Sequence, residues 1–447
     1  MTSKSRSKLD VIVVGAGAAG LAAARRLSEA GARVIVLEAR SRIGGRVLTI
    51  HDQRSPAAIE LGAEFLHGEA PEVREIARKA GLSAVDITGD RWVGVHGRFS
   101  RANDFWQRID RILSQADPQR TPDRSLAEFL AGKPGGRRFA GDRTLAREFV
   151  EGFHAAELER ISERSVAGGG NPGEDPSEQR IGRLIEGYDA LIDWLAAPLR
   201  SKIRLNRVVA EIEWSRRSVR VRARTKRGRA ERFEARAVLV TVPVALLHPS
   251  ARGRGTIRFA PEIPSLRDAA SCLEMGHVQR IVLMLDRSLV RLMNEQRQQQ
   301  LAALSFLHAS KAAVPVWWTS YPLESGILVG WAGGPAALEI EEGSRSFRAV
   351  AVDSLAESVG VDARTIDRHV HRAFTHDWSR DPFSRGAYSY CLVGGSDANE
   401  RLARPIRGTI FIAGEAANRE GRTGTVHGAI ASGQEAAKGI LKALGNG

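Results

Sequence analysis

The first forty residues combine two short apolar runs with a stretch of helical spacing between them. Residues 11–14 form an apolar run typical of a buried strand, and the small residues from Gly15 to Gly20 lead into a pattern with helical periodicity. A second apolar run, residues 34–37, ends directly before Glu38. This order predicts a strand–helix–strand unit with a glycine-rich turn at the start of its helix.

The spacing of the glycines and the acid in this unit predicts a dinucleotide site. Gly15 permits the tight turn out of the strand, Gly17 lets the backbone approach a pyrophosphate, and Gly20 allows the helix to pack closely on the strand. The free N–H groups at the start of the helix favour a phosphate. Glu38 follows at about the 20-residue spacing of a ribose-binding carboxylate.

Periodicity along the rest of the chain indicates an interleaved organisation without internal repeats. The predicted elements are helices at 71–80 and 187–195, strands at 203–214, 219–224, 237–243, 278–285 and 409–413, and a glycine- and proline-rich loop at 167–176. The last strand returns to the character of the nucleotide-binding part, which implies that both ends of the chain belong to one domain.

We therefore predict an α/β fold in which two domains are interleaved. A Rossmann-like domain comprises residues 1–95, 201–262 and 401–447. An α+β domain comprises a helical part at 96–200 and a mixed sheet flanked by helices at 263–400.

A second glycine turn after Glu38 favours FAD over a nicotinamide cofactor. Gly44 and Gly45 allow close backbone approach, and Arg46 offers a planar set of donors for phosphate or flavin oxygens. A nicotinamide enzyme has no evident need for such a turn, whereas the longer FAD extends past the first pair of strands.

A third glycine motif lies near the C-terminus. A strand ending in Gly414 and Glu415 is followed by a small-residue helix start that contains Thr425 and Val426. A strand, an acid and a helix N-terminus in this order predict a second set of oriented N–H groups, suited to the flavin or its diphosphate.

Composition and charge exclude several other classes. Hydrophobic residues make up 43% of the chain and charged residues 26%, as in an ordinary globular protein. The net charge is +14, but the basic residues are dispersed and do not alternate with aromatic ones, so we expect no nucleic-acid partner. Apolar runs are too short for a membrane span, and we expect no metal site.

Two cysteines, Cys272 and Cys391, make a disulfide framework improbable and suit a reducing compartment. The chain starts with a short basic tail that shows no secretory pattern. We therefore expect a cytoplasmic protein, and a homodimer is compatible with the sequence.

Together, these motifs resemble the flavin-containing amine oxidase superfamily, which includes monoamine, polyamine and L-amino-acid oxidases. The resemblance extends from Asp10 to about Leu444 and is weakest at residues 96–180. The cofactor-binding residues that the motifs and the resemblance imply are Gly15, Gly17, Ala18, Ala19, Gly20, Glu38, Ala39, Arg40, Gly44, Gly45, Arg46, Gly62, Ala63, Glu64, Phe65, Val209, Trp378, Gly414, Glu415, Thr425 and Val426.

The resemblance also implies which residues face the substrate, and the chain departs from the family at three of them. Tyr388 matches one wall of the aromatic cage, but the opposing aromatic wall matches Thr425. Ala387 stands where monoamine oxidases carry a flavin-linked cysteine, which predicts non-covalent FAD. Arg280 replaces a lysine that holds a water beside the flavin, and His67 matches a pocket histidine of polyamine oxidases.

The activity expected from this resemblance is oxidation of an amine C–N bond by hydride transfer to the flavin, with O2 reduced to H2O2. Glu64 and His67, with Glu157 or Glu186 from the helical part, would favour a polyamine. Arg280 and the positive charge would instead favour an amino acid, with Arg280 either holding a carboxylate or forming a salt bridge. Three alternatives stay open: a dehydrogenase with another electron acceptor, a desaturase or porphyrinogen-type oxidase, and a non-enzymatic flavoprotein.

Overall fold

The computed structural model describes residues 9–95, 97–168, 179–286, 288–289 and 304–445. Of the loop predicted at 167–176, residues from 169 onward lie outside this described part, and residues 167 and 168 end the helix Glu163–Gly168. The helix predicted at 71–80 and the strand predicted at 278–285 have the expected bounds, Pro71–Ala80 and Val278–Leu285. No helix in the described part of the chain is long and apolar enough to cross a bilayer.

The first sheet contains the predicted strand–helix–strand unit. Leu9–Val14 pairs in parallel with Val34–Leu37 on one side and with Ala230–Val240 on the other. Ile410–Ile412 joins the far side of Ala230–Val240, also in parallel. The remaining strands of this sheet are Ile203–Arg204, Arg207–Ser215, Ser218–Thr225 and Arg258–Ala260. The C-terminal strand therefore lies two positions from the first strand, with the carboxyl ends of both at one edge of the sheet.

Helices cover one face of this sheet and bury its apolar side chains. Ala18–Glu29 packs against Val426–Leu444 and Tyr188–Ala196. The first contact is close because a Cβ on Gly433 would lie 2.2 Å from the carbonyl oxygen of Ala19. The two ends of the chain are thus packed together by a small-residue helix contact.

The second sheet is mixed and has helices on one face. Its strands, in spatial order, are Val370–Thr375, Val278–Leu285, Ile327–Gly333, Val316–Thr319, Leu304–His308, Asp90–Val95 and Arg98–Arg101. Leu304–His308 pairs with Asp90–Val95 in parallel, and the other described neighbours are antiparallel. Pro335–Glu342, Phe347–Val359 and Ala363–His369 supply helical cover around a buried core.

The helical part forms its own small core beside this sheet. Its described helices are Phe105–Leu113, Leu126–Ala131, Arg137–Phe139, Ala140–Phe153 and Glu163–Gly168. Ser125 and Glu128 form a reciprocal capping box at the start of Leu126–Ala131, which satisfies N–H groups that a helix start leaves free. The other described elements are Thr49–Ile50, Ile59–Glu60, Phe65–His67, Ala84–Asp86, Ile181–Leu184, Ala197–Leu199, Val244–Leu246, Pro264–Ser271, Leu273–Met275, Ser389–Cys391, Ala398–Ala403 and Glu415–Ala417.

Strand pairing supports other positions for two of the predicted domain boundaries. Asp90–Val95 belongs to the second sheet, so a boundary at residue 95 would split its hairpin with Arg98–Arg101. Ile181–Leu184 pairs with Phe65–His67, and the helix after it packs against Ala18–Glu29. We therefore propose boundaries near residues 89 and 180 in place of 95 and 200.

Candidate active site

A cavity of about 1570 Å³ runs from the edge of the first sheet to the face of the second. Ligand pockets usually enclose about 300–1,000 Å³, so this cavity has room for a dinucleotide and a substrate together. The residues predicted above to bind the cofactor or the substrate line this cavity, with the exceptions of Gly20, Glu157 and Glu186. Most of the predicted site residues thus meet at one cavity.

Gly15, Gly17 and Gly20 have different surroundings at the nucleotide end. Gly15 has a φ of +107°, which favours glycine, and a Cβ on Gly20 would lie 2.1 Å from the carbonyl oxygen of Gly15. Gly17 instead faces open space, since the nearest atom to its Cβ position is the Gly44 oxygen at 3.9 Å. Gly15 and Gly20 therefore shape the turn, and Gly17 leaves the approach that a diphosphate needs.

The helix start at this turn is electrostatically free for an anion. Ala18 and Ala19 begin Ala18–Glu29, and neither its first turn nor its N-cap residue Gly17 offers an acidic or capping side chain. The positive end of the helix dipole therefore faces the cavity with no counter-charge from the helix itself, and the nearby carboxylate is that of Glu38, which accepts from the N–H of Ala16 at 2.8 Å.

Glu38 lies buried at the end of its strand and accepts two backbone hydrogen bonds. The donors are the N–H groups of Ala16 and Arg40, each at 2.8 Å. Arg40 itself contacts Asp381 at 2.7 Å, so its guanidinium ties the turn to the segment around residue 381. Val209 lies beside this end, at a register shift of its strand, and also lines the cavity.

The second glycine turn lies directly beside the first. The N–H of Gly44 donates to the carbonyl of Ala16 at 2.8 Å, and Gly44 forms an isolated bridge with Gly17. Gly45 also lines the cavity. Both turns therefore face the same ligand-sized space.

Arg46 and Glu415 connect the two ends of the chain. Arg46 Nη1 lies 2.9 Å from Glu415 Oε1 and also donates to the carbonyl of Ala387 at 2.8 Å. The other oxygen of Glu415 accepts from the Ser389 hydroxyl at 2.7 Å and from the N–H of Gly424 at 3.1 Å. One buried carboxylate thus positions three separate segments around the cavity.

Thr425 has a structural role that sequence reasoning missed. It is the N-cap of Val426–Leu444: its hydroxyl accepts from the N–H of Gly428 at 3.0 Å and donates to the carbonyl of Arg422 at 2.8 Å. Gly424 packs on the ring of Tyr388, since its Cβ position lies 3.2 Å from that ring. A Ser/Thr before a small-residue helix is the sequence signal that indicates such a cap.

Tyr388 is held by its hydroxyl. It donates to the carbonyl of Phe153 at 2.5 Å, and burial raises its pKa well above the ordinary value. The phenol therefore stays protonated and its ring keeps one orientation in the cavity.

Arg280 forms the salt bridge that was one of its two predicted roles. It pairs with the buried carboxylate of Glu64, and its Nη1 donates to the carbonyl of Gly62 at 2.7 Å. Glu64 also accepts from Trp318 Nε1 at 3.0 Å and lies 3.3 Å from Arg183 Nη1. The guanidinium is therefore not positioned to hold a substrate carboxylate, and Glu64 is not a free anion for a polyamine.

The segment that contains Gly62, Ala63 and Phe65 is fixed against the second glycine turn. A Cβ on Gly62 would lie 1.9 Å from the carbonyl oxygen of Arg46. Trp378, which is buried, donates its Nε1–H to the carbonyl of Leu61 at 2.8 Å. These contacts leave little freedom for the backbone between the two sheets.

His67 contacts aromatic rings within the cavity. Its ring centroid lies 5.4 Å from that of Phe153 and 6.1 Å from that of Phe65. Burial, together with the nearby His427 and Arg91, lowers the pKa of His67 to about 4. His67 is therefore neutral at neutral pH and offers a hydrogen bond rather than a charge.

The acidic side chains of the helical part that line the cavity are not the two that the sequence suggested. Glu157 lies 3.5 Å from Arg160, and Glu186 accepts from the N–H of Ser83 at 2.9 Å; neither lines the cavity. Glu148 and Glu151 line it instead, on the helix Ala140–Phe153. The i, i+3, i+4 spacing of cavity-lining residues 145, 148, 149, 152 and 153 is the signal that would have found this face.

These features fit FAD. Gly17 and the helix start after it would hold the diphosphate, Glu38 the ribose, and the second glycine turn with Arg46 the part toward the flavin. Ala387 offers no thiol at the family's covalent position, and Cys391 Sγ lies 3.2 Å from Asn399 Oδ1.

Comparison with known proteins identifies the family. The family model "Flavin containing amine oxidoreductase" matches residues 18–441, and the chain belongs to this family. It is an FAD-dependent amine oxidase. Polyamine oxidase 4 of Oryza sativa subsp. japonica is 30% identical over 97% of this chain and 89% of its own length. Probable polyamine oxidase 4 of Arabidopsis thaliana is 28% identical over 98% and 88%.

Solved structures show the same fold. Putrescine oxidase bound to putrescine has a TM-score of 0.79 and 22% identity, covering 97% of this chain and 99% of that one. This likeness confirms the predicted α/β architecture of a Rossmann-like domain with a second mixed sheet.

Proposed function

We propose that the protein oxidises the C–N bond of a small amine, with O2 as electron acceptor. A primary amine, O2 and water would give an aldehyde, ammonia and H2O2. The observation that carries this proposal is the single cavity that joins the nucleotide-binding turns to Tyr388, Phe65 and Trp318. FAD held by these turns would supply the acceptor for the hydride that the α-carbon of the amine loses.

The residues at the end of the cavity that faces the second sheet orient the amine and exclude water. Tyr388 presents a fixed ring, and Phe65 and Trp318 lie with their ring centroids 5.3 Å apart. His67 is neutral, so it does not repel a cationic amine as it approaches. Such an environment favours the neutral amine, whose lone pair assists the loss of hydride.

The substrate class follows from which charges are free. Arg280 and Glu64 neutralise each other, and neither therefore selects between a polyamine and an amino acid. Similarity to polyamine oxidases favours a cationic amine at the approach to the site, and so does Glu148, which lines the cavity and forms no ion pair with a described residue. Glu151 also lines the cavity but lies 3.5 Å from Arg147. A dehydrogenase with another acceptor is the second candidate, because the engaged Arg280 occupies the lysine position.

A purified preparation tests this proposal in two stages. Under argon, a panel of primary amines, diamines and amino acids is mixed with the yellow protein, and loss of flavin absorbance is followed. We expect at least one amine to bleach the flavin, and admission of air to restore it with one H2O2 per turnover. Bleaching that air does not reverse, but a quinone or dye does, would indicate a dehydrogenase; colourless protein that takes up no FAD would contradict the proposal.

Three finer features accompany this function. Acid precipitation is expected to release the flavin into the supernatant, because Ala387 replaces the cysteine. The unpaired thiols of Cys272 and Cys391 support a cytoplasmic location. The homodimer stays a prediction.

A further inference from the structure

Among the aromatic rings that line the cavity lies a cation, Arg91, that has no described counter-charge. Arg91, on the strand Asp90–Val95, lines the cavity and forms no ion pair with any residue that the structure describes. Burial lowers its pKa to about 10, and no carboxylate opposes that effect. This leaves Arg91 unlike Arg280 and Arg183, which share the carboxylate of Glu64.

Aromatic rings hold the guanidinium in place without neutralising it. Arg91 Cζ lies 4.4 Å from the ring centroid of Phe306, 5.1 Å from that of Trp106 and 5.5 Å from that of Phe105. Cation–π contacts of this kind leave the N–H donors of an arginine available in the plane of the group.

A second unpartnered polar group lies beside Arg91. His308 Nε2 is buried and has no hydrogen-bond partner, although its ring is stacked on Phe105 with centroids 4.5 Å apart. Burial, with a smaller effect from Arg91, lowers the pKa of His308 to about 3, so the imidazole is neutral. A buried donor or acceptor without a partner is costly, which indicates a ligand group at this place.

We propose that Arg91 and His308 form a carboxylate-binding subsite, so that the substrate is an amine that also carries a carboxylate. This inference rests on the proposed function, because it assigns the substrate class of the same cavity. A carboxylate satisfies both groups: its two oxygens accept from the planar guanidinium and from a neutral imidazole N–H. A diamine would instead place its second ammonium against an unneutralised arginine.

Binding of a matched pair of probes tests the subsite without turnover. Pentanoate and pentanamide have the same chain length, but only pentanoate is charged. We expect pentanoate to bind the holoenzyme at least 10-fold more tightly than pentanamide in a flavin-absorbance titration. Arg91→Gln should reduce this preference by about 10- to 100-fold, the loss of a charge-assisted hydrogen-bond pair. Arg101→Gln is the matched control, since Arg101 lies on the neighbouring strand, pairs with Asp90 and does not line the cavity.

Turnover provides the second measurement. The ratio of kcat/KM for 5-aminopentanoate or norvaline to that for cadaverine should exceed one and should fall about 10- to 100-fold in Arg91→Gln. Arg91→Lys, which keeps the charge without the planar donors, should give an intermediate ratio and serves if Arg91→Gln does not retain flavin.

Two outcomes separate the subsite from the reaction. Equal binding of pentanoate and pentanamide by the wild-type holoenzyme overturns the subsite, even if amines are oxidised. Tight pentanoate binding that depends on Arg91 supports the subsite, even if no compound of the panel bleaches the flavin and the proposed function fails.

Discussion

At the carboxylate of Glu64, donors from three separate segments meet at a nearly buried position in the cavity wall. Arg280, Arg183 and Trp318 all contact this one group, and the side chains of Arg280 and Glu64 are 4% and 8% exposed. Burying charges is costly, and an ion pair repays that cost only when further hydrogen bonds satisfy both partners. Here the Gly62 carbonyl accepts from Arg280 and the Trp318 indole donates to Glu64, while Arg280 Nε is buried without a described partner.

Arg280→Met is therefore expected to destabilise the protein by about 3 kcal/mol, because it leaves Glu64 with only part of its compensation. Urea denaturation of the FAD-saturated protein measures this loss. The matched control is Arg345→Met, which breaks the exposed pair with Asp353 and should cost at most about 1 kcal/mol. Equal effects of the two substitutions would show that the Glu64 cluster is not a structural centre.

Glu60 is another buried acid, and in the folded protein it keeps its proton instead of forming an ion pair. It accepts from the N–H of Tyr188 at 2.7 Å and contacts the Thr49 hydroxyl, and burial raises its pKa to about 8. The folded state therefore keeps a proton that the unfolded chain releases above pH 4.5. This contribution to stability is present at acid pH and is lost as the pH rises toward 8.

Glu60→Gln imitates the protonated acid and removes this pH dependence. The wild type should lose up to about 1.4 kcal/mol per pH unit between pH 5 and 8 relative to Glu60→Gln. Melting temperatures of both proteins, measured across this range with saturating FAD, test the expectation. Parallel curves would mean that Glu60 is ionised in the folded protein.

At the scale of elements, the first strand and helix depend on one close contact. Gly20→Ala would place a methyl group 2.1 Å from the carbonyl oxygen of Gly15, so the turn must open and the diphosphate position is lost. We expect at least a 100-fold loss of FAD affinity, or protein that folds poorly without flavin. Flavin content after purification and titration of the apoprotein measure it.

Gly141→Ala is the control for this substitution. Gly141 is exposed in the helix Ala140–Phe153, and its Cβ position meets only Arg108 at the ordinary distance of 3.6 Å. Alanine there should stabilise the helix by about 0.5–1 kcal/mol and leave FAD binding unchanged. Loss of flavin in both variants would indicate a general intolerance of alanine in place of glycine.

The elements that sequence predicted best are those whose signals are local. The pattern at 71–80 combines a helical period, a proline at the first helical position and a glycine after the last, and the helix ends where these residues stand. The strand predicted at 203–214 is in fact two strands, because Asn206 has a φ of +56° and turns the chain between partners. Such a break depends on which strands pair, and that information is not local.

The same distinction applies to the site. The glycine turns and Glu38 are recognisable because spacing alone defines them. The cap formed by Thr425 is also local, since its hydroxyl contacts Arg422 and Gly428, whereas the placement of Glu148 on the cavity wall depends on packing between distant segments. No motif recognised in the sequence contains Arg91. Its significance arises from the absence of a described carboxylate around it, which only the fold reveals.

At the scale of the whole molecule, the net positive charge of the chain is not matched by positive charge on the histidines of the cavity. The chain carries a net charge of +14, yet several cavity histidines are neutral and the helical part presents acids to the approach. Burial is the main cause that lowers the pKa of His67, His154 and His427 to about 4. The interior is therefore insulated from the charge of the surface, and an amine meets few titrating groups between pH 6 and 9.

Because few groups of the cavity titrate between pH 6 and 9, the pH dependence of the reaction tests the protonation state of the substrate. His67 is already deprotonated at pH 6 and Tyr388 is still protonated at pH 9. Neither should therefore produce an inflection between pH 6 and 9. The amine itself must lose a proton before hydride transfer. We therefore expect kcat/KM to rise about tenfold per pH unit up to the pKa of the amine. The inflection should move to lower pH when a less basic amine is used.

Glu60→Gln is the control for this prediction. Glu60 has a pKa of about 8, which falls inside the window, but it does not line the cavity, so the variant should keep the same profile. An inflection that stays fixed while the amine is changed would assign the step to the protein instead of the substrate.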